Sequence, residues 1–149
     1  MSTYPNKANG GCHCGAVRYE VTTEPDYVAF CHCETCRKTT GAPAVVYSVY
    51  LDKNVVFTVG QRKTYHSSPG VSRTYCGDCG TSLSYESEWN GDIVIGFFVG
   101  TMDEPNLFPP QRHVFHGDRV EWFDAADKLP RFLGVPKAGN EPDSIGPSE

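Results

Sequence analysis

The sequence predicts a mainly β fold, a single domain built of short antiparallel strands. Three observations carry this expectation. Aromatic residues make up 12% of the chain, with eight Tyr and eight Phe, and such side chains suit pleated, half-buried surfaces. Eleven Pro and fifteen Gly imply many turns rather than long helices. Between these punctuating residues lie many short strand-like runs. A chain of 149 residues fits one domain, and 39% hydrophobic residues is enough for a modest core.

The elements follow in order. Residues 1–9 read as a loose, polar arm, 10–133 as the folded domain, and 134–149 as a disordered tail with almost nothing to bury. Ala16–Val21 alternates and reads as a strand. Glu24-Pro25-Asp26 reads as a turn, with Tyr27–Phe30 returning as a hairpin partner. A short helical turn near Thr35–Thr39 is closed by Gly41. Strands are expected at Pro43–Leu51, Asn54–Val59, Gln61–His66, Val71–Tyr75, Ser82–Glu86, Asp92–Val99, His113–Phe115 and Val120–Trp122. A short helical piece is expected at Asp124–Lys128.

Charge and composition exclude several classes. The net charge is −5, and Arg37-Lys38 and Arg62-Lys63 are the basic clusters, mere pairs, so a nucleic-acid surface is not expected. The first ten residues lack an apolar core, so no signal peptide is expected. The apolar stretches around Ala42–Leu51 and Ile93–Val99 are too short to span a bilayer. A cytoplasmic protein is the expectation, and in a reducing compartment clustered cysteines point to metal or redox chemistry rather than disulfides.

Seven cysteines fall into three groups: Cys12-His13-Cys14, Cys31-His32-Cys33-Glu34-Thr35-Cys36, and Cys76-Gly77-Asp78-Cys79-Gly80. On an extended strand, positions i and i+2 share a face, so Cys-x-Cys can reach one ion. Cys-x-x-Cys-Gly needs a tight turn, which Gly80 permits. Zinc takes four ligands in structural sites and three plus an open position in catalytic sites. Seven thiols therefore divide as four plus three. Cys31, Cys33 and Cys36 lie close enough to share one ion, which leaves Cys12, Cys14, Cys76 and Cys79 for a closed site. Pairing Val21 with Tyr27 across the expected hairpin would set residue 12 opposite residue 36. The two sites would then be neighbours, and Cys12 or Cys14 could serve either ion.

The runs GGCHCGAVRYEV, CHCETCRKTTGAP and YCGDCGTSL, with the closing HVFHGDRVEWFDAADKLPRF, resemble the glutathione-dependent formaldehyde-activating enzyme family, which includes centromere protein V-type domains. The resemblance spans roughly Gly10 to Phe132. It implies a zinc-bearing β-tent fold with two Zn²⁺ ions. One is a structural zinc on Cys12, Cys14, Cys76 and Cys79; the other is a catalytic-type zinc on Cys31, Cys33 and Cys36. It also implies a carbon–sulfur lyase that joins glutathione or a similar small thiol to formaldehyde or another small electrophile, as in S-(hydroxymethyl)glutathione synthesis. A zinc site with three thiolates suits capture of a substrate thiol as thiolate. The competing expectation is a non-enzymatic, zinc-stabilised protein-binding module whose second ion has a fourth protein ligand.

Other residues receive plainer readings. Arg37 and Lys38 follow the three-cysteine group and either offset thiolate charge or lie solvated. His13 and His32 alternate with ligands, so on a strand they face away and pack or support rather than ligate. His113 and His116, spaced i and i+3, would face opposite ways on a strand, so joint metal binding is not expected, though one of them could line the active pocket. Trp89, Trp122, Phe97 and Phe98 read as core or sheet-face residues, and Glu34 and Asp78 as solvent-facing.

Overall fold

The computed structural model describes residues 3–147. The strands are β1 (Ala8–Gly11), β2 (Arg18–Val21), β3 (Tyr27–Cys31), β4 (Val45–Leu51), β5 (Val55–Val59), β6 (Lys63–Ser68), β7 (Val71–Tyr75), β8 (Ser82–Trp89), β9 (Asp92–Phe98), β10 (Arg112–Val114), β11 (Pro130–Arg131) and β12 (Ser144–Ile145). One α-helix, α1 (Glu34–Thr40), interrupts them. A three-stranded sheet runs β1-β2-β5, and a nine-stranded sheet runs β12-β11-β10-β3-β4-β9-β8-β7-β6. Pairing is antiparallel except at β10, which lies parallel to both β3 and β11. The mainly β expectation holds. No helix among the described residues is long and apolar enough to cross a membrane.

Strand alternation gives the large sheet two working faces. Val28, Tyr50, Leu83, Ile95 and Phe97 pack against Tyr19 and Val21 of the small sheet. Tyr19 and Phe97 stack at 3.7 Å between ring centroids, and the Tyr19 hydroxyl meets Thr101 Oγ1 at 2.7 Å. The intervening positions Ala29, Cys31, Tyr47, Val49 and Phe98 form a second cluster with Cys36 and Val114 on the opposite face. The period of two thus separates Phe97 from Phe98, and it turns Cys31 away from the main core.

Several sequence expectations are corrected. β2 and β3 are not a hairpin: β2 is bonded to β1 and β5, while β3 lies between β4 and β10. Both edges of each strand are occupied, so residues 22–26 cross from one sheet to the other, and residue 12 does not face residue 36. Neither Val120–Trp122 nor Asp124–Lys128 forms its expected element. There the carbonyls of Ala125 and Leu129 accept from Arg131, at 2.7 Å each, in place of ladder or helix partners.

The terminal segments also differ from their reading. Tyr4 is buried and donates to Pro109 O at 2.7 Å, and Ala8 already pairs with Val21, so the arm is docked from there. In the tail, Ser144–Ile145 pairs with β11. Met1, Ser2, Ser148 and Glu149, parts of the expected arm and tail, lie outside the described residues. Trp89 is exposed on strand β8 beside a hairpin tip, in keeping with a sheet-face residue, whereas Trp122 is exposed in the irregular segment and lies on no sheet.

Candidate metal centres

Cys12, Cys14, Cys76 and Cys79 come together from two turns. One follows β1, where Cys12 N–H donates to Val17 O and Gly15 N–H to Cys12 O. The other follows β7, with Cys76 N–H to Thr81 O and Gly80 N–H to Cys76 O. The two turns close in the same way, each wrapping a cysteine carbonyl. Gly80 has φ of 78°, the left-handed conformation its place in the motif anticipated. Backbone N–H groups of Val17 and Asp78 point at Cys12 Sγ and Cys76 Sγ, at 3.2 and 3.4 Å. Because Cys12-His13-Cys14 is a turn and not a strand, His13 is exposed rather than packed.

The sulfur geometry fits a tetrahedral ion. Four ligands at the usual zinc–sulfur length would sit about 3.8 Å from one another. Cys12 and Cys14 are 3.7 Å apart, and Cys14 and Cys76 3.8 Å. The thiols oppose one another's ionisation. The Thr81 hydroxyl and nearby N–H groups bring Cys79 down to about 5. Although Ala16 N–H lowers Cys14, its sulfur neighbours push it up to about 12. A dication removes that conflict by holding all four as thiolates.

The second cluster is built locally. Cys31 ends β3, Cys33 caps α1, and Cys36 lies in its first turn, with Cys36 N–H donating to Cys33 Sγ at 3.3 Å. Gly41 closes the helix in the left-handed conformation, as its sequence position implied. The three sulfurs lie within 4.8 Å of one another, and among the described residues no His, Asp or Glu joins them as a fourth ligand. Hydrogen bonds from Cys31 and Cys36 hold Cys33 far below the ordinary thiol value, while the same contacts raise Cys31. This trio too contains more thiols than it can ionise unaided. Tyr47 and Tyr85 stand beside it in edge contact at 5.2 Å, and burial keeps both as neutral phenols.

The cation beside this cluster is Arg73, which the sequence reading missed. Arg73 Nη1 donates to Cys36 Sγ at 3.2 Å. Arg37 instead reaches Asp118 O at 3.3 Å, and Lys38 is exposed. Arg37 Nε also donates to His32 O at 3.5 Å, so its guanidinium bridges backbone carbonyls, and the hydrogen bond to a cluster sulfur comes from Arg73. Glu34 and Asp78 are exposed as expected. A cavity of about 670 Å³ adjoins Cys79 of the four-cysteine cluster, with Thr39 and Thr40 of α1 on one wall and Cys79–Ser82 on another.

His113 and His116 lie side by side rather than on opposite faces, because the strand does not continue through both. Phe115 adopts φ 50° and ψ 35°, which ends β10 and turns His116 back beside His113, with ring centroids 5.7 Å apart. Both rings contact buried His32. Burial pushes the His32 imidazole down to about 4. Asp124, Asp127 and Arg131 complete this polar group and were also missed. Arg131 is fully buried and bonds both carboxylates, to Asp127 Oδ1 at 2.7 Å and Asp124 Oδ1 at 3.1 Å. The signal for them was a charged Asp-x-x-Asp-x-x-x-Arg run, which resembles an exposed helical face.

Residues 7–118 match the family description "glutathione-dependent formaldehyde-activating enzyme". The chain belongs to that family. The match takes in all seven cysteines and Arg73, and it ends before Asp124, Asp127 and Arg131. Two relatives are similar over most of the chain. The chain is 33% identical over 127 residues to an uncharacterised lyase of Schizosaccharomyces pombe, covering 83% of this chain and 88% of the relative. It is 29% identical over 126 residues to a Halomonas elongata protein provisionally named a glutathione-dependent formaldehyde-activating enzyme, covering 77% and 78%. A crystal structure of a Rhodobacter sphaeroides protein shares the fold, with a TM-score of 0.50 and 21% identity over 64% of this chain and 87% of that one.

Proposed function

We propose that this family member is a zinc-dependent carbon–sulfur lyase that joins a small thiol, glutathione or a similar one, to formaldehyde or another small electrophile. Cys31, Cys33 and Cys36 hold the working zinc, and Cys12, Cys14, Cys76 and Cys79 hold a second, structural one. The supporting observation is the three-sulfur cluster with no fourth protein ligand among the described residues, beside the Arg73 guanidinium. A zinc ion held there supplies the positive charge that lets a substrate thiol bind as thiolate at neutral pH.

The chain's own groups do the rest. The Cys36 thiolate accepts from Arg73, which lowers the negative charge that an incoming anionic sulfur meets. The Tyr47 and Tyr85 rings cover the cluster's apolar side and keep water away. Half-buried Cys33 leaves one side open to the substrate. In the overall reaction the thiol sulfur forms a bond to the formaldehyde carbon, the carbonyl π bond opens, and the thiol proton ends on the new hydroxyl. Holding two small reactants together supplies much of the rate gain. The names of the relatives, one a lyase and one provisionally formaldehyde-activating, point the same way. The binding-module alternative needs a closing ligand, and among the described residues no His, Asp or Glu, His32 included, joins the three sulfurs.

The test is Cys33→Ser with zinc analysis and exchange NMR of glutathione with formaldehyde. The expected variant keeps the fold, loses one of two zinc ions and loses catalysed adduct formation. A wild-type protein that gives no acceleration over buffer would sink the lyase reading.

A further inference from the structure

His32 stands between Cys31 and Cys33, fully buried, and its Nδ1 has no hydrogen-bond partner. Its other nitrogen begins a chain that runs away from the cysteines. His32 Nε2 lies 2.8 Å from His113 Nδ1, and His113 Nε2 lies 3.0 Å from Asp127 Oδ2. Phe30 stacks on His113 with ring centroids 4.6 Å apart, and the His32 N–H donates to Val114 O at 3.2 Å. Side chain and backbone thus both tie the Cys31–Cys33 turn to β10.

The far end of the chain sets its direction. Burial opposes ionisation of Asp127, but hydrogen bonds from Leu129 N–H, His113 and Arg131 hold its carboxyl below the ordinary range. An ionised carboxylate only accepts hydrogen bonds. His113 Nε2 therefore carries the proton, and in a neutral ring its Nδ1 accepts. His32 Nε2 must then donate, which leaves the His32 lone pair on Nδ1. Simple packing would be met by apolar side chains here. The buried guanidinium of Arg131, which fixes Asp127 and Asp124 together, is not needed for that.

We propose that Asp127 is a positioning residue: through His113 it fixes the tautomer and ring plane of His32, and through them the turn that presents Cys31 and Cys33. The inference rests on the reading that Cys31, Cys33 and Cys36 hold a metal ion. Histidine orientation by a carboxylate outside a metal shell is a known way to tune a site. Here the carboxylate acts across two imidazoles on the backbone between ligands, not on a ligand itself.

The test uses full-length protein loaded with Co²⁺, whose thiolate charge-transfer bands follow each cluster during competition with a chelator. Long-range ¹H–¹⁵N spectra of the zinc-loaded protein read the His32 tautomer. Asp127→Asn can turn its amide N–H to His113, which reverses every donor along the chain. The expected result is a proton on His32 Nδ1 and a second-cluster affinity lower by about 10- to 100-fold, with the four-cysteine cluster unchanged. His113→Asn places an oxygen where Nδ1 was and keeps the His32 donor, so wild-type affinity is expected; His113→Leu is expected to show the loss. A reversed tautomer with unchanged affinity overturns the proposal, as does a wild-type His32 protonated on Nδ1. If Asp127→Asn fails to fold, equal affinities in His113→Asn and His113→Leu overturn it. A wild-type protein that takes up one cobalt only overturns the metal reading of the second cluster. The tautomer in the same protein still decides the direction of the chain.

Discussion

Replacing Arg73 with Gln removes the positive charge beside the three-cysteine cluster and little else. Arg73 lies on β7, opposite Tyr65 of β6 and Tyr85 of β8. It is half-buried, donates to Cys36 Sγ at 3.2 Å and to Ser67 Oγ at 3.4 Å, and its guanidinium carbon is 5.6 Å from the Tyr85 ring centre. A hydrogen bond to an ionised acceptor contributes about 1.5–3 kcal/mol. At 1.4 kcal/mol per tenfold, zinc affinity of this cluster is expected to fall by about 10- to 100-fold. The four-cysteine cluster, which Arg73 does not touch, is expected to keep its ion.

The sign of the pH effect follows. Loading requires the thiols to lose protons, so affinity rises with pH. Without the guanidinium the thiols hold their protons more tightly, and the half-loading pH moves up. With three protons released, the shift is about a third to two-thirds of a pH unit. Zinc content after equilibration with a graded chelator, across a pH series, measures both quantities. Affinity and half-loading pH that both stay at wild-type values would refute the role given to Arg73.

Three further outcomes are expected. Gly10→Ala destabilises the fold by about 1–3 kcal/mol, because its Cβ would fall 2.6 Å from Thr101 O, a backbone atom that cannot yield, and against the Tyr19 hydroxyl; urea unfolding reads it. Cys76→Ser lowers Tm far more than Cys33→Ser, since Cys76 is buried in the main core and Cys33 is not; scanning calorimetry with zinc analysis compares them. Arg18 hydrogen-bonds Asp103 and holds its carboxyl below the ordinary range. That pair adds stability above the unfolded carboxylate value near about 3.9 and loses it as pH falls through the lower folded value. Asp103→Asn therefore costs about 1 kcal/mol or less at neutral pH, the pair being exposed, and flattens the acid limb of the stability curve.

Local chemistry was legible in the sequence, and long-range pairing was not. The turn at Gly80, the cap at Gly41 and the grouping of all seven cysteines follow from residue type and spacing, which depend on a few neighbours. The β2–β3 hairpin failed because the reading assumed that consecutive strands pair, a tendency with many exceptions. Nothing in residues 18–31 announces that both edges of each strand are taken by distant segments. His113 and His116 were placed back to back because their spacing was read on a strand. The single left-handed residue that unites them, Phe115, is of a type rarely found in that conformation. Arg73 was passed over because its partner, Cys36, is 37 residues away, while Arg37 stood beside the motif.

The topology itself argues that the two clusters answer to different demands. Cys14 and Cys76 are 62 residues apart, and the turns that carry them leave different sheets. An ion there ties the small sheet to the large one and constrains a long loop of unfolded chain. Cys31, Cys33 and Cys36 span six residues, so an ion there closes almost no loop and adds little to global stability. They also sit on the face of the large sheet that points away from the main core. Their surroundings are correspondingly elaborate for so small a structural return: a guanidinium on one sulfur, phenols kept neutral by burial, and a buried His–His–Asp chain behind the turn. An ion there would contribute little to the fold, so the oriented polar groups that flank the three sulfurs fit the proposed thiol-binding role better than a structural one.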